Sequence, residues 1–389
     1  MNYRAISRAS VLLLAIALPL ALGCDNSSAK SNSVSKSSGV SKANSVSKAN
    51  SVSKSSGVAK SNDADTTSKG SAANAAPLRH VGMCDASGAV ALGNDLFVVA
   101  NDEDNVLRVY SAKKGGAAVS STDLSAAINI TSGREADFEG ATRLGKRVFW
   151  MASHGRTSSG KWDVDRHKFF ATTIATASDG YKIELVGKVY EGLLRDILAS
   201  DKHAGLGLRE ASRSGDPRVR ELNPKAKGIN LEGLTATADG SAMLIGLRNP
   251  RPNDKAIVLK LTNPVAVVVD GKPAEFGKPV LLELGGLGIR SMEYSKQHNG
   301  YLISAGHHST EQKFALYLWS GKSDDTKPKK LTFDRPEAFS TEAIIVYEGR
   351  QEVLLLSDDG TVDVDGTACK KAAPEKRSFK STWFTVGDQ

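Results

Sequence analysis

Apolar and polar positions fall into three patterns along the chain. Val11 to Leu22 is an uncharged apolar run behind Arg4 and Arg8. A bilayer span needs about 20 apolar residues, and this run has about a dozen, the length of a signal-peptide core. Residues 29 to about 76 then carry almost no large apolar side chains. A unit of period six recurs through them: Val34-Ser35-Lys36, Val40-Ser41-Lys42, Val46-Ser47-Lys48, Val52-Ser53-Lys54 and Val58-Ala59-Lys60. Isolated valines cannot bury enough surface to offset ordering entropy, so the pattern predicts a disordered tether. From Pro77 onward, short β-like runs alternate with Gly, Asn and Asp. Leu96-Phe97-Val98-Val99, Val148-Phe149-Trp150-Met151, Ala256-Ile257-Val258-Leu259, Tyr301-Leu302-Ile303 and Val353-Leu354-Leu355-Leu356 are examples. These predict strands.

The strand-rich region repeats itself. Asp85-Ala86-Ser87-Gly88-Ala89 matches Asp137-Phe138-Glu139-Gly140-Ala141, and Asn230-Leu231-Glu232-Gly233-Leu234 matches both. Ser291-Met292-Glu293-Tyr294 and Ser340-Thr341-Glu342-Ala343 are shorter echoes. After each motif come a strand, a glycine turn such as Gly93 or Gly145, and a second strand. Val106 to Tyr110 and Phe314 to Trp319 read as third strands, Ile183 to Val186 and Pro279 to Leu284 as fourth. Four antiparallel strands at a repeat of roughly 50 to 60 residues predict an all-β β-propeller. Five motif copies predict five four-stranded blades. The last copy offers strands at 343–347, 353–357 and 379–386, and Leu78 to Met83 reads as its missing fourth, so N- and C-terminal strands close the ring. The long interval between Glu139 and Glu232 holds a partly helical insertion at about 190–227, with a sixth, degenerate blade as the alternative.

Charge changes the picture once. Of the net +8, the first 76 residues supply +6, nine Lys/Arg against three Asp. The folded region is nearly neutral, which removes nucleic acid from the expected partners. The chain thus divides into a signal peptide (1–23), a Ser/Lys-rich tether (24–76) and a propeller domain (77–389). Leu20-Ala21-Leu22-Gly23-Cys24 resembles a lipobox, which implies lipidation of Cys24, a membrane as partner through that lipid, and a domain held in the periplasm or outside the cell. Ordinary cleavage nearby is the plainer alternative. In such an oxidising setting the two other cysteines, Cys84 and Cys369, are expected to pair, with two free buried thiols as the alternative.

Cys84-Asp85-Ala86-Ser87, Val98-Val99-Ala100-Asn101-Asp102-Glu103, Glu135-Ala136-Asp137-Phe138-Glu139-Gly140, Asn230-Leu231-Glu232-Gly233-Leu234 and Leu356-Ser357-Asp358-Asp359-Gly360 resemble a bacterial family known only as a domain of unknown function. The Asp-x-Glu-Gly motif is also similar, more loosely, to esterase-like phytase propellers. The first resemblance implies a propeller and no activity; the second implies phosphoester hydrolysis as a weak expectation.

Propeller geometry turns the repeat into a candidate site. The motif residue opens the innermost strand, and the second strand returns to the same face. One column is then Ser87, Glu139, Glu232, Glu293 and Glu342; the other is Asp102, His154, Arg248, His307 and Asp358. Asp85, Asp137, Asn101, Asn249, Arg290 and His308 lie beside them. Carboxylates facing one channel repel unless a cation, shared protons or arginines neutralise them. Glu139, Glu232, Glu293, Glu342, Asp85, Asp102 and Asp358 are the candidate ligands of a hard divalent cation, Ca²⁺ ahead of Mg²⁺. The alternative is that each glutamate accepts backbone hydrogen bonds and rivets the ring. His154 and His307 are candidates for moving protons, and Arg248 with Arg290 for holding a small anion. An envelope protein is the alternative partner, for a propeller that only binds. Gly155 to Lys161 fits the start of a phosphate loop, but Trp162 stands where the metal-binding hydroxyl belongs. No Gly-x-Ser-x-Gly or His-Glu-x-x-His is present.

Overall fold

The computed structural model describes residues 76–387 apart from 94, 179 and 310. The expected signal peptide, Cys24 and the tether up to residue 75 lie outside the described residues. Four antiparallel sheets of four strands and one sheet of five make the blades. The first blade is Ala86–Gly93, Leu96–Asn101, Val106–Ser111 and Ser120–Asp123, from innermost to outermost. The second is Phe138–Leu144, Arg147–Ala152, Phe169–Ala177 and Gly180–Tyr190. The third is Asn230–Ala236, Met243–Asn249, Ala256–Leu261 and Val280–Leu282, and the fourth Gly288–Ser295, Gly300–Gly306, Phe314–Trp319 and Lys329–Leu331. The fifth mixes the two ends of the domain: Thr341–Val346, Glu352–Ser357, Ser378–Thr385 and then Leu78–Val81, with the short Gly116–Ala117 added in parallel. Each innermost strand packs against those of the preceding and following blades, and the fifth returns to the first.

The second strand of each blade explains why the hydrophobic runs are nearly continuous. Successive side chains of a strand point to opposite faces, and both faces here are covered by a neighbouring blade. Phe97 and Val99 enter the core shared with the fifth blade, while Val98 enters the core shared with the second. Phe149 and Met151 face the third blade; Val148 and Trp150 face the first. Leu354 and Leu356 face the first blade, and Val353 and Leu355 the fourth. One hydrophobic cluster therefore fills each gap between blades.

The motif glycine has a packing reason. A Cβ on Gly140 would sit 2.8 Å from Leu234 Cβ and 2.9 Å from Glu232 O, and one on Gly88 would sit 2.7 Å from the Gly140 carbonyl carbon. Only glycine lets innermost strands approach this closely around the axis.

The residues between the second and third blades form no sixth sheet. They fold as helices Leu193–Ala199 and Leu208–Ser212 with single 3₁₀ turns. Leu193, Leu194, Ile197, Leu208 and Ala211 lay the insertion onto the core between those blades. Helix Pro264–Asp270, inside the third blade, was not anticipated. Pro264 at the first turn and a left-handed Gly271 after the last set its ends. Ring closure pairs Leu78–Val81 antiparallel with Ser378–Thr385, and Cys84 is disulfide-bonded to Cys369 beside that seam.

Candidate functional site

A bulge at one end of each innermost strand selects the residues that face the channel. Phe138 pairs with Ala152 and Gly140 with Met151, which leaves Glu139 unpaired between them. Glu232 is left out in the same way between Leu231 and Gly233, and Glu342 between Thr341 and Ala343. In the first blade the register slips between Ala86 and Ala89, around Ser87. A bulge re-aims its extra side chain out of the ladder, here toward the axis.

The fourth blade corrects the column. Its bulge lies between Ile289 and Ser291, so Arg290 takes the place assigned to Glu293. Glu293 pairs regularly with Leu302 three residues further along the strand and does not line the mouth. Burial raises its carboxyl well above the usual range, opposed by Arg143. The sequence echo at Glu293 matched residue type and missed the bulge register.

Of the second column, Asp102, Arg248, His307 and Asp358 line the mouth, a cavity of about 290 Å³. His154 does not. Its backbone is left-handed (φ 53°), and its fully buried ring turns back so that Nδ1 lies 2.8 Å from Ala152 O. Its ring centroid stands 5.5 Å from that of His167. Burial lowers His154 to about 4, and burial with His154 and Lys168 nearby lowers His167 to about 3. These are neutral core imidazoles, so His154 is withdrawn as a proton carrier. His307 remains at the mouth, with Nδ1 2.7 Å from Ser309 Oγ.

Two acidic groups lie at the mouth and differ in compensation, with Glu232 of the first buried behind the lining residues Glu139 and Glu342. Glu139, Glu232 and Glu342 bring carboxylate oxygens within 4.8 Å of one another. Arg290 Nε lies 3.0 Å from Glu342 Oε2 and 3.1 Å from Glu232 Oε2. Arg248 Nη1 donates to Glu232 Oε1 at 3.1 Å, and Asn230 donates to the same oxygen. Both arginines, expected as anion holders, are therefore committed to the glutamates. Burial lifts Glu342 to about 7 against the pull of Arg290, and lifts Glu139, beside Glu232 and Asp137, well above the usual carboxylate range.

The second group is Asp85, Asp102 and Glu103, again with ligand atoms within 4.8 Å. Its one close cation among the described residues is Lys370, whose Nζ is 2.5 Å from Glu103 Oε1. Burial and the Asp358 carboxylate push Asp85 up to about 9. Asp102 is held well above its usual value by burial and by Asp85 and Asp358. Asp358 goes the other way: against burial, Arg290, a hydrogen bond from Asp85 and the Gly360 N–H, 2.9 Å from Oδ1, keep it ionised. One Asp102 oxygen and the amide oxygen of buried Asn101, next to it in sequence, have no hydrogen-bond partner among the described residues. Oxygen donors with spare lone pairs and too few counter-charges fit a hard cation. The fit is better here than at the glutamates, where arginine already occupies the gap.

Sequence reasoning missed Glu103, Lys370, Glu135 and Arg166. Arg166 bridges Asp137 at 2.6 Å and Glu135 at 2.5 Å on the mouth's second-blade side. Glu103 next to Asp102, Lys370 next to Cys369 and Glu135 two residues before Asp137 were the available signals; Arg166 had none. Two larger hollows, of about 460 and 420 Å³, lie on and beside the insertion and are not lined by either acidic group.

No curated protein matches the chain. Among solved structures it is similar to glutaminyl cyclase of Myxococcus xanthus, with 12% identity over 80% of this chain and 96% of that one (TM-score 0.40). It is similar to PQQ-bound aldose sugar dehydrogenase of Streptomyces coelicolor, with 10% identity over 78% of this chain and 96% of that one (TM-score 0.40). The Malassezia sympodialis allergen Mala s 1 matches at 12% identity over 79% of this chain and 82% of that one (TM-score 0.35). A family model described as Protein of unknown function (DUF3616) matches residues 166–357, a stretch that holds Glu232, Arg248, Arg290 and Glu342 and omits Asp85, Asp102 and Glu139. The chain folds as a five-bladed β-propeller, and under half of its length matches this family model.

Proposed function

We propose that the protein is a membrane-tethered envelope propeller whose channel mouth binds a hard divalent cation, Ca²⁺ ahead of Mg²⁺, and hydrolyses a phosphoester or related small anion there. The observation that carries the reading is the undercompensated group of Asp85, Asp102 and Glu103 at one end of the channel. Asp85, Asp102 and Glu103 would hold the ion, with Asp358 beside Asp85. When bound, a divalent cation supplies Lewis-acid polarisation of a phosphoryl or carbonyl oxygen. The chain's own groups supply the rest. Arg248 and Arg290 fix Glu232 and Glu342 and keep the wall rigid. His307 lines the mouth with Nδ1 on Ser309 and is positioned to move a proton at Nε2. Lys225 and Lys370 add positive charge for an anionic ligand.

The arginine clamps favour a second reading at the glutamates, in which Glu232 and Glu342 are rivets and the propeller binds a ligand or envelope protein without turnover. Calorimetric titration of the chelated protein with Ca²⁺ and Mg²⁺, followed by a phosphoester screen, separates the two. Micromolar binding lost in Asp102→Asn, with turnover of any phosphoester, supports the hydrolase. Binding without turnover across the screen leaves the binding propeller. No binding of either ion removes the cation.

A further inference from the structure

We infer that the loop from Asp358 to Lys370, stapled by Cys84–Cys369, is the positioning element of the cation site, so that cation affinity depends on the disulfide; this rests on the cation reading above. Each half-cystine directly precedes a mouth residue, Cys84 before Asp85 and Cys369 before Lys370. Both are about 1% exposed, so the bond is an internal part of the seam.

The loop is docked on the first blade's entry by backbone bonds. Asp359 N donates to Cys84 O at 2.9 Å, and Asp85 forms an antiparallel bridge with Asp358. The loop is then folded on itself, with Cys369 N donating to Val362 O at 2.8 Å and Lys370 N to Gly360 O at 3.2 Å. Its contact with the acidic group is direct. A Cβ on Gly360 would fall 1.6 Å from Asp85 Oδ1, so the Asp85 carboxyl lies flat against that glycine. At the other end Lys370 draws Glu103 in. Two members of the group, Asp85 and Glu103, thus take their positions from one loop; Asp102 takes its own from the end of strand Leu96–Asn101.

The physical need for a staple follows from the charges. Three carboxylates within 4.8 Å of one another repel when ionised, and a surface loop held by a few hydrogen bonds relaxes by moving apart. A covalent link to the seam blocks that relaxation and holds the oxygens ready for an ion, so less ordering remains to be done on binding. Asp102 keeps one oxygen without a hydrogen-bond partner among the described residues, so the held group has a lone pair to offer an ion.

The test is calorimetric titration of the chelated full chain with Ca²⁺ alone. It compares the wild type, the Cys84→Ser/Cys369→Ser double variant and Gly360→Ala, with circular dichroism and melting curves recorded for each. The Kd is expected to rise at least tenfold in both variants at a temperature where both are folded. A disulfide that merely stabilised the ring would lower the melting temperature and leave the Kd alone. A Kd within twofold of wild type in the folded double variant overturns the inference while the cation reading stands. If the double variant does not fold, Gly360→Ala decides with the bond intact, and an unchanged Kd there overturns it. Absence of Ca²⁺ binding by the wild type removes the cation reading itself, and this inference with it, before any variant is compared.

Discussion

Removing the Arg290 guanidinium while keeping its length, as in Arg290→Met, should cost about 3–5 kcal/mol at pH 7.5. In the fold Arg290 is 8% exposed and lies between Glu342 and Glu232, with Asp358 3.9 Å from its Nη2. Taking away one partner of a buried pair strands the other charge, for which about 3–5 kcal/mol is the usual loss. An unfolding entropy of about 2.1 cal/mol/K per residue, over the roughly 310 residues from 76 to 387, gives about 0.65 kcal/mol per degree. The expected fall in melting temperature is therefore about 5–8 °C. The pH dependence identifies the cause. Burial holds Glu342 at about 7 even with Arg290 in place. Below that pH Glu342 carries its own proton and needs no arginine, while ionised Asp358 still does, so the loss should be smaller at pH 5 than at pH 7.5. Arg290→Met/Glu342→Gln should likewise recover part of the loss at pH 7.5. Melting curves by circular dichroism on the chelated protein measure all of these. A deficit under 1 kcal/mol at pH 7.5, or one equal at the two pH values, would refute the argument that Arg290 neutralises this wall.

Asp85, raised to about 9 when folded and near 3.8 when unfolded, stays protonated in the fold while the unfolded chain ionises, so stability falls as pH rises between those values. Between pH 7 and 8.5 the chelated protein should lose up to about 1.4 kcal/mol per pH unit from this group, and saturating Ca²⁺ should flatten the slope in melting curves. Cutting the Cys84–Cys369 bond, which spans 285 residues, should destabilise by up to about 6 kcal/mol on the chain-entropy model, readable by urea unfolding of the double serine variant. Gly140→Ala should cost about 1–3 kcal/mol by forcing a Cβ onto Leu234 and the Glu232 carbonyl, again scored by urea unfolding. Glu293→Gln should leave any Ca²⁺ affinity unchanged in calorimetry, because Glu293 stands away from the mouth.

Blade number, the closing seam and most strands were legible because each second strand buries two faces, and so writes an apolar run between turn residues. The Asp-x-Glu-Gly repeat was legible for a more local reason. The glutamate is the bulged residue, and the glycine lies where the innermost strands of adjacent blades nearly touch. The fourth blade hid its site residue because bulge register is a backbone property. Arg290-Ser291 occupies the Glu-Gly position with neither residue type preserved, while Glu293 sits nearby as a decoy. His154 failed for a different reason. Strand alternation places its Cα correctly, but a left-handed backbone turns the ring inward, onto Ala152 O and against His167. The pairing of arginines with glutamates needed distances that spacing alone does not contain, as did the reach of Lys370 to Glu103.

The seam also sets a path for mechanical load. Tension drawn through both ends of the domain enters along Leu78–Val81, reaches Cys84, crosses the sulfur–sulfur bond and leaves through Cys369 and Ser378–Thr385. Residues 85 to 368 form a closed covalent loop off that line. Every carboxylate of the mouth, from Asp85 to Asp358, lies inside it. Stretching the chain can strip the closing strands and still leave the four blades and the mouth's acidic residues without axial force, as a shackle carries a rope past its cargo.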